Sequence, residues 1–382
     1  MKIAFLQSGM TGYQDACLRA LRARGNEILN IFPTAYENAN FDAESFRDYG
    51  RALHWPQDKP SAEWVQAAVD EFDPDAILMV SWRNPAYRKV MAQMRGRALR
   101  IMFSSNIWEG TYRQWLGRAT HRVYLRPLYD CAFVPGDRSE WFVHRLGFSA
   151  DKVIRGSNSA DVEVFDRGAR TGEQLAASRR FVFSGRLMPY KGIKVLREAY
   201  LRYRDTVEDP WDLDVVGLGE LESEVAGLPG VTMHGFVSPQ RLAELMHESA
   251  CFVLPSYIDF FGVVVHEAAV AGQVLLCSDS VGATPYLLQD GYNGWTVATG
   301  DARSLADAMA RVHALPPERL AAMSEGSRGL SKRFSPTLWA DNLTSEVERR
   351  CAALGLRVTP TARSESADQA RPDAPQSMAS RA

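Results

Sequence analysis

The sequence has few cysteines and no long apolar run. Five thiols are scattered over 382 residues, without a Cys-x-x-Cys pair or a Cys/His cluster at the spacing of zinc ligands. These absences exclude the usual disulfide frameworks and structural zinc sites. No stretch approaches the ~18 apolar residues of a spanning helix, and the first apolar run is too short for a secretory signal. We therefore expect a cytoplasmic protein.

An excess of positive charge is also missing. Lysine and arginine together number 44 and aspartate and glutamate 46, which gives a net charge of −2. Nucleic-acid binders rely on a clear cationic excess, so we expect no nucleic-acid partner. The apolar fraction of 46% and the charged fraction of 24% are typical of a folded globular protein.

Two series of alternating segments are present instead. Short apolar runs such as Ile3–Leu6 alternate with longer amphipathic segments such as Ala62–Phe72, and the alternation restarts at Phe181–Ser184 after a polar stretch over 168–180. Strands separated by helical segments predict parallel sheets covered on both faces. The sequence therefore predicts an α/β protein with two Rossmann-like α/β/α domains that face each other across a cleft.

Composition also sets the expected domain limits. We predict an amino-terminal domain over 1–168, a second domain over 169–335 and a helical segment over 336–356 that can pack back on the first domain. Residues 357–382 contain no Leu, Ile, Phe, Trp or Tyr. Such a segment cannot bury enough apolar surface to fold, and we predict a disordered tail.

A loop after the strand at Phe181–Ser184 carries two cations. Gly185 is followed by Arg186, and Lys191 comes five residues later at a helix start. Arginine offers a planar fork of donors to phosphate and lysine a compact charge, so the pair could neutralise a diphosphate without a metal. A solvated loop with two surface cations is the alternative.

A second loop carries two acids. Asp259 precedes a helix that begins near Gly262, and Glu267 lies eight positions later in an otherwise apolar run. The free N–H groups of a helix start suit a phosphate, and carboxylates suit sugar hydroxyls. The alternative roles are a helix cap for Asp259 and a surface acid for Glu267.

These motifs together resemble the retaining GT-B glycosyltransferases of glycosyltransferase family four, also called glycosyl transferases group one. Asp259 and Glu267 match the ends of the family's acid-x7-acid motif, with Asp where the first acid is usually Glu, and Arg186 and Lys191 match its diphosphate pair. The glycine-rich strand end at 215–220 and the turn at 234–237 match two further motifs.

The resemblance implies transfer of a hexose-type sugar from a nucleoside-diphosphate-sugar donor to an acceptor hydroxyl, with retained anomeric configuration and without a metal or other cofactor. It implies catalytic roles for Arg186, Lys191 and Asp259, and a ribose contact for Glu267. The remaining donor-binding positions that it implies are Gly185, Gly217, Gly235, Phe236, Val237, Phe260, Phe261, Gly262 and Val263. The resemblance fits cell-surface polysaccharide or glycoconjugate biosynthesis.

The amino-terminal half departs from the family pattern. The paired glycines after the first strand are separated here as Gly9 and Gly12, and Asn106 stands near the position of a usual histidine. Asn106 could supply a polar contact to the sugar, and Glu109 could bind the acceptor. Ordinary helix capping is the alternative for both residues.

Aromatic residues and arginines alternate over 112–126. This composition would suit an anionic membrane surface, and peripheral contact at the inner face would fit a lipid-linked acceptor. A helix that packs its aromatic side chains inward is the simpler expectation.

Two other functions stay open on the same architecture. A nucleotide-sugar epimerase would release its product without an acceptor, and a catalytically inactive protein would only bind the nucleotide sugar. The acceptor itself could be a saccharide, a lipid-linked glycan or a small metabolite. The Asp-x-Asp triplets at 212–214 and 73–75 lie in a predicted strand and in a turn, so neither predicts a metal site.

Overall fold

The computed structural model describes residues 1–33, 50–55, 60–80, 84–156 and 158–360. Within these residues the chain forms two α/β domains, each built on one parallel sheet, which confirms the predicted architecture. The disordered tail predicted over 357–382 begins too early, because Arg357 binds Asp73 at 2.9 Å and the Thr359 N–H donates to Asp75 at 2.9 Å. The remainder of the predicted tail, 361–382, lies outside the described residues. No described helix combines the length and apolar character needed to cross a membrane.

The first domain contains a sheet in the order β3-β2-β1-β4-β5-β6-β7, and all described pairings are parallel. Every residue of β4, β5 and β6 is buried, as expected for strands covered by helices on both faces. The strands are β1 (Lys2–Leu6), β2 (Glu27–Pro33), β3 (Arg51–Trp55), β4 (Ala76–Met79), β5 (Leu99–Phe103), β6 (Cys131–Val134) and β7 (Val153–Arg155).

Two helices of this domain start at capping side chains. The side chain of Ser61 accepts the backbone N–H of Trp64 at the start of α2, and Asn84 accepts those of Ala86 and Tyr87 at the start of α3. The helices are α1 (Gly12–Ala23), α2 (Ala62–Phe72), α3 (Pro85–Gln93), α4 (Tyr112–Tyr124) and α5 (Asp137–Leu146).

The second domain repeats the plan with a sheet in the order β10-β9-β8-β11-β12-β13. Its strands are β8 (Arg180–Ser184), β9 (Asp212–Val216), β10 (Val231–Gly235), β11 (Cys251–Leu254), β12 (Val274–Ser278) and β13 (Gly294–Val297). Its helices are α6 (Val162–Phe165), α7 (Gly172–Ser178), α8 (Ile193–Thr206), α9 (Glu222–Val225), α10 (Pro239–Glu248), α11 (Val263–Val270), α12 (Thr284–Leu287), α13 (Ala302–His313) and α14 (Pro317–Ser331), followed by α15 (Pro336–Leu354).

The expected boundary at residue 168 is wrong. Phe165 is buried in the core of the second domain, and Val162 and Val164 pack against the same core. The polar stretch over 168–180 also contains α7, which packs on α14 and begins with a Thr171/Gln174 capping box. The chain therefore crosses between the domains at residues 156–161, because the side chains from Val162 onward already belong to the second core.

Helix α15 returns to the first domain. It packs along α1, and Trp339 stacks on Phe5 at 6.4 Å and tilts against Phe133 at 5.8 Å between ring centroids. Leu343 and Val347 are buried in the same core. The last described helix thus covers one face of the first sheet although it follows the second domain in sequence.

The carboxyl ends of the two sheets face each other. The loop after β6 meets the segment after β12, since the backbone N–H of Asp137 donates to the Tyr286 hydroxyl at 2.7 Å. A Cβ on Gly12, after β1, would lie 3.6 Å from Pro239, after β10. Ligands of open α/β sheets bind at carboxyl ends, so the gap between these loops is the place for a site.

Candidate active site

Lys191 and Asp259 form the best-defined contact of the cleft. The Lys191 Nζ lies 2.5 Å from Asp259 Oδ2, and each side chain is 14% exposed. Lys191 ends a short turn that follows β8, whereas Asp259 lies in the loop that follows β11. Two residues 68 positions apart are thus brought together at one end of the second sheet, as their predicted roles require.

Close backbone packing holds these two loops together. The Tyr257 N–H donates to the Tyr190 carbonyl at 2.8 Å. Gly192 has φ = 73°, and a Cβ there would stand 2.0 Å from the Pro255 carbonyl oxygen. Glycine is required at position 192 because the backbone is left-handed and in contact with the neighbouring loop.

Arg186 shares an aromatic platform with Lys191. The Arg186 guanidinium lies 5.5 Å and the Lys191 ammonium 5.9 Å from the centroid of the Tyr190 ring. Arg186 is exposed and has no ion-pair partner among the described residues. The Tyr190 hydroxyl is buried and lacks a hydrogen-bond partner in the described parts of the chain. Two cations therefore stand over one ring, and one of them is free to bind an anion.

The predicted glycines line the same end of the sheet. Gly185 donates its N–H to Val216 at 3.0 Å, and Gly217 donates to Gly235 at 2.7 Å. The loops after β8, β9 and β10 are therefore joined by hydrogen bonds. Beyond them Phe236 is exposed, whereas Val237 packs partly against the core.

The start of α11 offers unused hydrogen-bond donors. The N–H groups of Phe260, Phe261 and Gly262 have no acceptor among the described residues. Gly262 precedes the helix with φ = 83°. The Phe261 side chain is buried against Phe334, so this residue can contribute to a ligand only through its backbone. Free N–H groups beside the positive end of a helix dipole form an anion site.

Glu267 is a half-buried acid one turn further along α11. Burial, together with the smaller effect of the nearby Asp161 carboxylate, raises its pKa to about 7. Asp161 belongs to the crossing between the domains and forms an ion pair with Arg19 of α1 at 2.7 Å. The Glu267 carboxylate has no hydrogen-bond or ion-pair partner within the described chain, so both of its oxygens can accept from hydroxyl groups of a ligand.

His266, the neighbour of Glu267, has a structural role. Its Nδ1 accepts the Ala160 N–H at 2.8 Å, and its Nε2 donates to the Ser331 carbonyl at 3.0 Å. Burial lowers its pKa to about 4. The imidazole is neutral and ties α11 to the crossing segment and to the end of α14, and it is not a candidate base.

The four acceptor-side candidates lie in loops of the first domain. Gly9 lies in the loop between β1 and α1, and Gly12 begins α1 opposite Pro239. Asn106 donates to the Ser104 hydroxyl at 3.3 Å, and the exposed Glu109 uses its backbone N–H to bind Gln114. The structure thus brings Gly12 to the second domain but shows no contact of Asn106 or Glu109 with it.

Two residues of the cleft were missed by the sequence analysis. Arg138 donates from the first domain to the carbonyls of Asp279 and Ser280 in the second domain. Tyr286 accepts from the opposite loop, and Phe260 lines the same small pocket between the domains. Neither Arg138 nor Tyr286 lies in a recognisable motif. Only the three-dimensional pairing of the domains reveals their contact.

The aspartates of the two Asp-x-Asp triplets form ion pairs and hydrogen bonds with other residues of the fold. Asp214 binds Arg180 at 3.1 Å and His234 at 2.7 Å, and Asp75 accepts the backbone N–H of Lys2 at 2.7 Å. In the parts of the chain that the structure describes, no group of three or more His, Cys, Asp or Glu side chains is arranged to hold a metal ion.

Comparison with solved structures defines the class of fold. The chain is similar to Anabaena HepE in complex with UDP and glucose, with a TM-score of 0.71, 18% identity and coverage of 91% of this chain and 100% of that chain. It is also similar to sucrose-phosphate synthase from Thermosynechococcus elongatus, with a TM-score of 0.71, 19% identity and coverage of 92% and 99%. The chain has the GT-B fold of glycosyltransferases.

The sequence comparisons identify the family. The family model described as glycosyl transferases group 1 matches residues 178–314 of this chain. The resemblance deduced from the motifs is thereby confirmed, and the match covers the loops that carry Arg186, Lys191, Asp259 and Glu267.

Curated relatives extend the comparison beyond the family segment. D-inositol 3-phosphate glycosyltransferase of Saccharomonospora viridis is 31% identical over 48% of this chain and 47% of its own length. Phosphatidyl-myo-inositol mannosyltransferase of Mycobacterium leprae is 26% identical over 53% of this chain and 52% of its own length. The chain spans about half the length of the curated relatives it matches.

Proposed function

We propose that the protein is a retaining glycosyltransferase that moves a hexose-type sugar from a nucleoside-diphosphate-sugar donor to an acceptor hydroxyl. One observation carries this proposal: Lys191, Arg186 and the free N–H groups at the start of α11 converge on one end of the second sheet. That arrangement suits a diphosphate, and Asp259 stands beside it to bind hydroxyl groups of the attached sugar.

Charge development on the leaving group sets the role of the cations. When the bond between the sugar and the diphosphate breaks, negative charge grows on the departing phosphate. Lys191 and Arg186 are positioned to stabilise this charge, and stabilisation at the site of charge development lowers the barrier. In this proposal a donor phosphate oxygen accepts the acceptor's proton, so no protein nucleophile and no metal ion is needed.

Glu267 anchors the nucleoside in the same scheme. Its two free oxygens accept hydrogen bonds from a ribose diol, which is a bidentate arrangement that a single acid can provide. The exposed Phe236 and the glycine loops at Gly185 and Gly217 lie at the same strand ends. The nucleotide thus lies over the second domain, and the acceptor enters from the loops that hold Gly9, Gly12, Asn106 and Glu109.

The names of the relatives guide the choice of substrates. The HepE structure contains UDP and glucose, and one curated relative is a mannosyltransferase for a phosphatidylinositol. We propose a place in cell-surface polysaccharide or glycoconjugate biosynthesis, in the cytoplasm. A panel of UDP-, GDP-, ADP- and dTDP-hexoses with saccharide, inositol phosphate and lipid acceptors samples these possibilities.

Donor binding and turnover test the proposal together. A matching donor at ~100 times its Kd stabilises the protein by about 2.7 kcal/mol in a thermal-shift assay. Radiolabelled donor should then give a glycoside with retained configuration, at a rate that EDTA does not change. Free epimerised nucleotide sugar identifies an epimerase, and binding without product identifies an inactive binding protein. Loss of turnover in EDTA contradicts the metal-independent scheme.

A further inference from the structure

Helix α4 turns its apolar side toward solvent. Tyr112 is 74%, Leu116 60% and Val123 81% exposed, and Trp115 is half exposed beside them. Positions 112, 116 and 123 recur at helical spacing and therefore share one face. The expectation that the aromatic side chains pack inward is wrong for Tyr112, and Trp115 is covered only on the side that meets Trp108. We call Tyr112, Trp115, Leu116 and Val123 the α4 face.

The opposite side of α4 makes the contacts with the domain. A Cβ on Gly117 would lie 3.5 Å from Leu146 of α5, and the His121 ring packs edge-on against Phe148 with 5.4 Å between centroids. The small Gly117 allows this approach. Because α4 is attached by that side, Tyr112, Leu116 and Val123 project away from the protein, whereas Trp115 also packs edge-on against Trp108 with 5.4 Å between ring centroids.

The surroundings of the α4 face are cationic. Residues 110–129 contain four arginines and no aspartate or glutamate. Arg118 lies 5.7 Å from the Trp115 ring, and on the adjoining α5 Arg145 lies 4.2 Å from the ring of the half-exposed Trp141. Exposed apolar side chains bordered by arginines are complementary to a surface that has an apolar interior beneath an anionic outer layer.

We propose that the α4 face docks the protein on an anionic lipid bilayer. The apolar side chains enter the interface, and the arginines bind lipid phosphates. A second copy of the chain is a poorer occupant, because two-fold pairing of this face would place Arg113 and Arg118 of one copy near the same arginines of the other copy. Docking is a property of the α4 face itself and does not depend on the proposed function.

Docking through the α4 face would also orient the active-site cleft relative to the bilayer. The loop with Asn106 joins β5 to α4, so the α4 face adjoins the carboxyl edge of the first sheet. That edge faces the second domain across the cleft. If the proposed glycosyl transfer holds, an acceptor in the bilayer reaches the cleft from the side of α4.

Vesicle sedimentation tests the docking directly. The protein is mixed with vesicles of phosphatidylcholine alone or with phosphatidylglycerol at 30 mol%, in about 0.1 M and 0.5 M NaCl. We expect sedimentation only with the anionic vesicles and release at the higher salt, since screening weakens exposed charge interactions. The variant R113A/R118A should bind about fivefold more weakly for each arginine removed, or roughly 25-fold in total.

Apolar variants separate insertion from simple charge attraction. L116S/V123S should reduce partitioning on the order of tenfold or more, because two side chains no longer enter the interface. L338S/L354S places the same kind of substitution on exposed positions of α15 and should bind like the wild type. Circular dichroism of every variant verifies the fold.

Three results would overturn the docking. The first is absence of wild-type protein from the anionic vesicle pellet. The second is equal loss of binding in L116S/V123S and in the α15 control. The third is a dimer in gel filtration that L116S/V123S converts to a monomer without any vesicle binding, which would assign the α4 face to a second copy.

Discussion

At the scale of single residues, Lys191 is the side chain whose loss we expect to affect turnover most. Lys191→Ala should lower kcat by about 10²–10³-fold, because a cation at the leaving phosphate is lost. Steady-state kinetics with the matching donor measures the effect. Lys194→Ala is the matched control, since Lys194 is mostly exposed and binds only Glu224 at 3.6 Å. Similar rates for both variants would place the diphosphate elsewhere.

Glu267 combines its proposed binding role with a cost in stability. Its pKa is raised from 4.5 to about 7 by burial and by Asp161, so the folded state holds a proton that the unfolded state has released. The stability contributed by this group is present below pH 4.5 and is lost as the pH rises through 7.

Replacing Glu267 by Gln removes that pH dependence. Glu267→Gln should be more stable than the wild type at pH 8, by roughly 1–2 kcal/mol, and little different at pH 5. Donor binding should weaken at both values. Thermal unfolding at the two pH values measures the first effect, with Glu163→Gln on an exposed acid as the control. A wild-type advantage at pH 8 would show that Glu267 has a stabilising partner.

The sequence predicts site residues best where a motif carries them. Lys191 and Asp259 were named from loop position and resemblance, and the structure joins them at 2.5 Å. Tyr190 was not named, although it lies between the two cations in sequence, because an aromatic residue in a loop has no fixed chemical role. Arg138 gave no signal at all, since its acceptors are backbone carbonyls of a distant loop.

At the scale of elements, the periodicity of apolar residues and the Ser, Pro and Gly residues at segment ends locate most helices and strands. The limits predicted for Ala62–Phe72 agree with the structure, and those predicted for Ile3–Leu6 and Phe181–Ser184 differ from it by one residue, because each segment has a clear apolar pattern. The helix predicted to start at Lys191 starts at Ile193. Gly192 is left-handed there and separates a short turn from the helix.

Short or polar elements are not predicted by these sequence patterns. Strand β7 has three residues and only Ile154 buried, so it lacks a measurable period. Helix α7 lies in a stretch whose Arg, Gly and Ala content predicts a linker, yet it is stabilised by packing on α14. Such elements are stabilised by tertiary contacts, and the local sequence carries no pattern that predicts those contacts.

Helix α15 provides a test at this scale. Trp339→Ala should destabilise the first domain by about 3–5 kcal/mol, because the ring fills a buried position against Phe5 and Phe133. Urea unfolding followed by circular dichroism measures the loss. Leu338→Ala, at an exposed position of the same helix, should stay within about 0.5 kcal/mol of the wild type. A small effect of Trp339→Ala would mean that α15 is not part of the first core.

At the scale of the whole molecule, the site depends on how the domains are held together. Three kinds of contact cross the cleft: the Arg19–Asp161 ion pair, the Asp137–Tyr286 hydrogen bond and the two hydrogen bonds that Arg138 donates to carbonyls. The negative charge of Asp161 also raises the pKa of Glu267. The crossing segment, the opposite loops and the proposed donor site are therefore connected by direct contacts and by electrostatic interaction.

Arg138 is the contact whose removal changes this arrangement without touching the cations at Lys191 and Arg186. Charge-assisted hydrogen bonds contribute about 1.5–3 kcal/mol each, so Arg138→Ala should shift the domains away from the closed arrangement. A smaller binding-competent fraction raises the apparent dissociation constant in proportion. We expect the KM for the donor to rise up to about tenfold while kcat stays near the wild-type value.

Initial-rate kinetics separates this effect from damage to the chemistry. Arg241→Ala is the control, because Arg241 pairs with Glu244 and Glu248 of its own helix and with no other acid among the described residues. A loss of kcat with unchanged KM would place Arg138 at the reacting centre and not at a contact between the domains. An unchanged KM and kcat would mean that the remaining contacts are sufficient to hold the cleft, with Arg19 and Tyr286 as the residues to replace next.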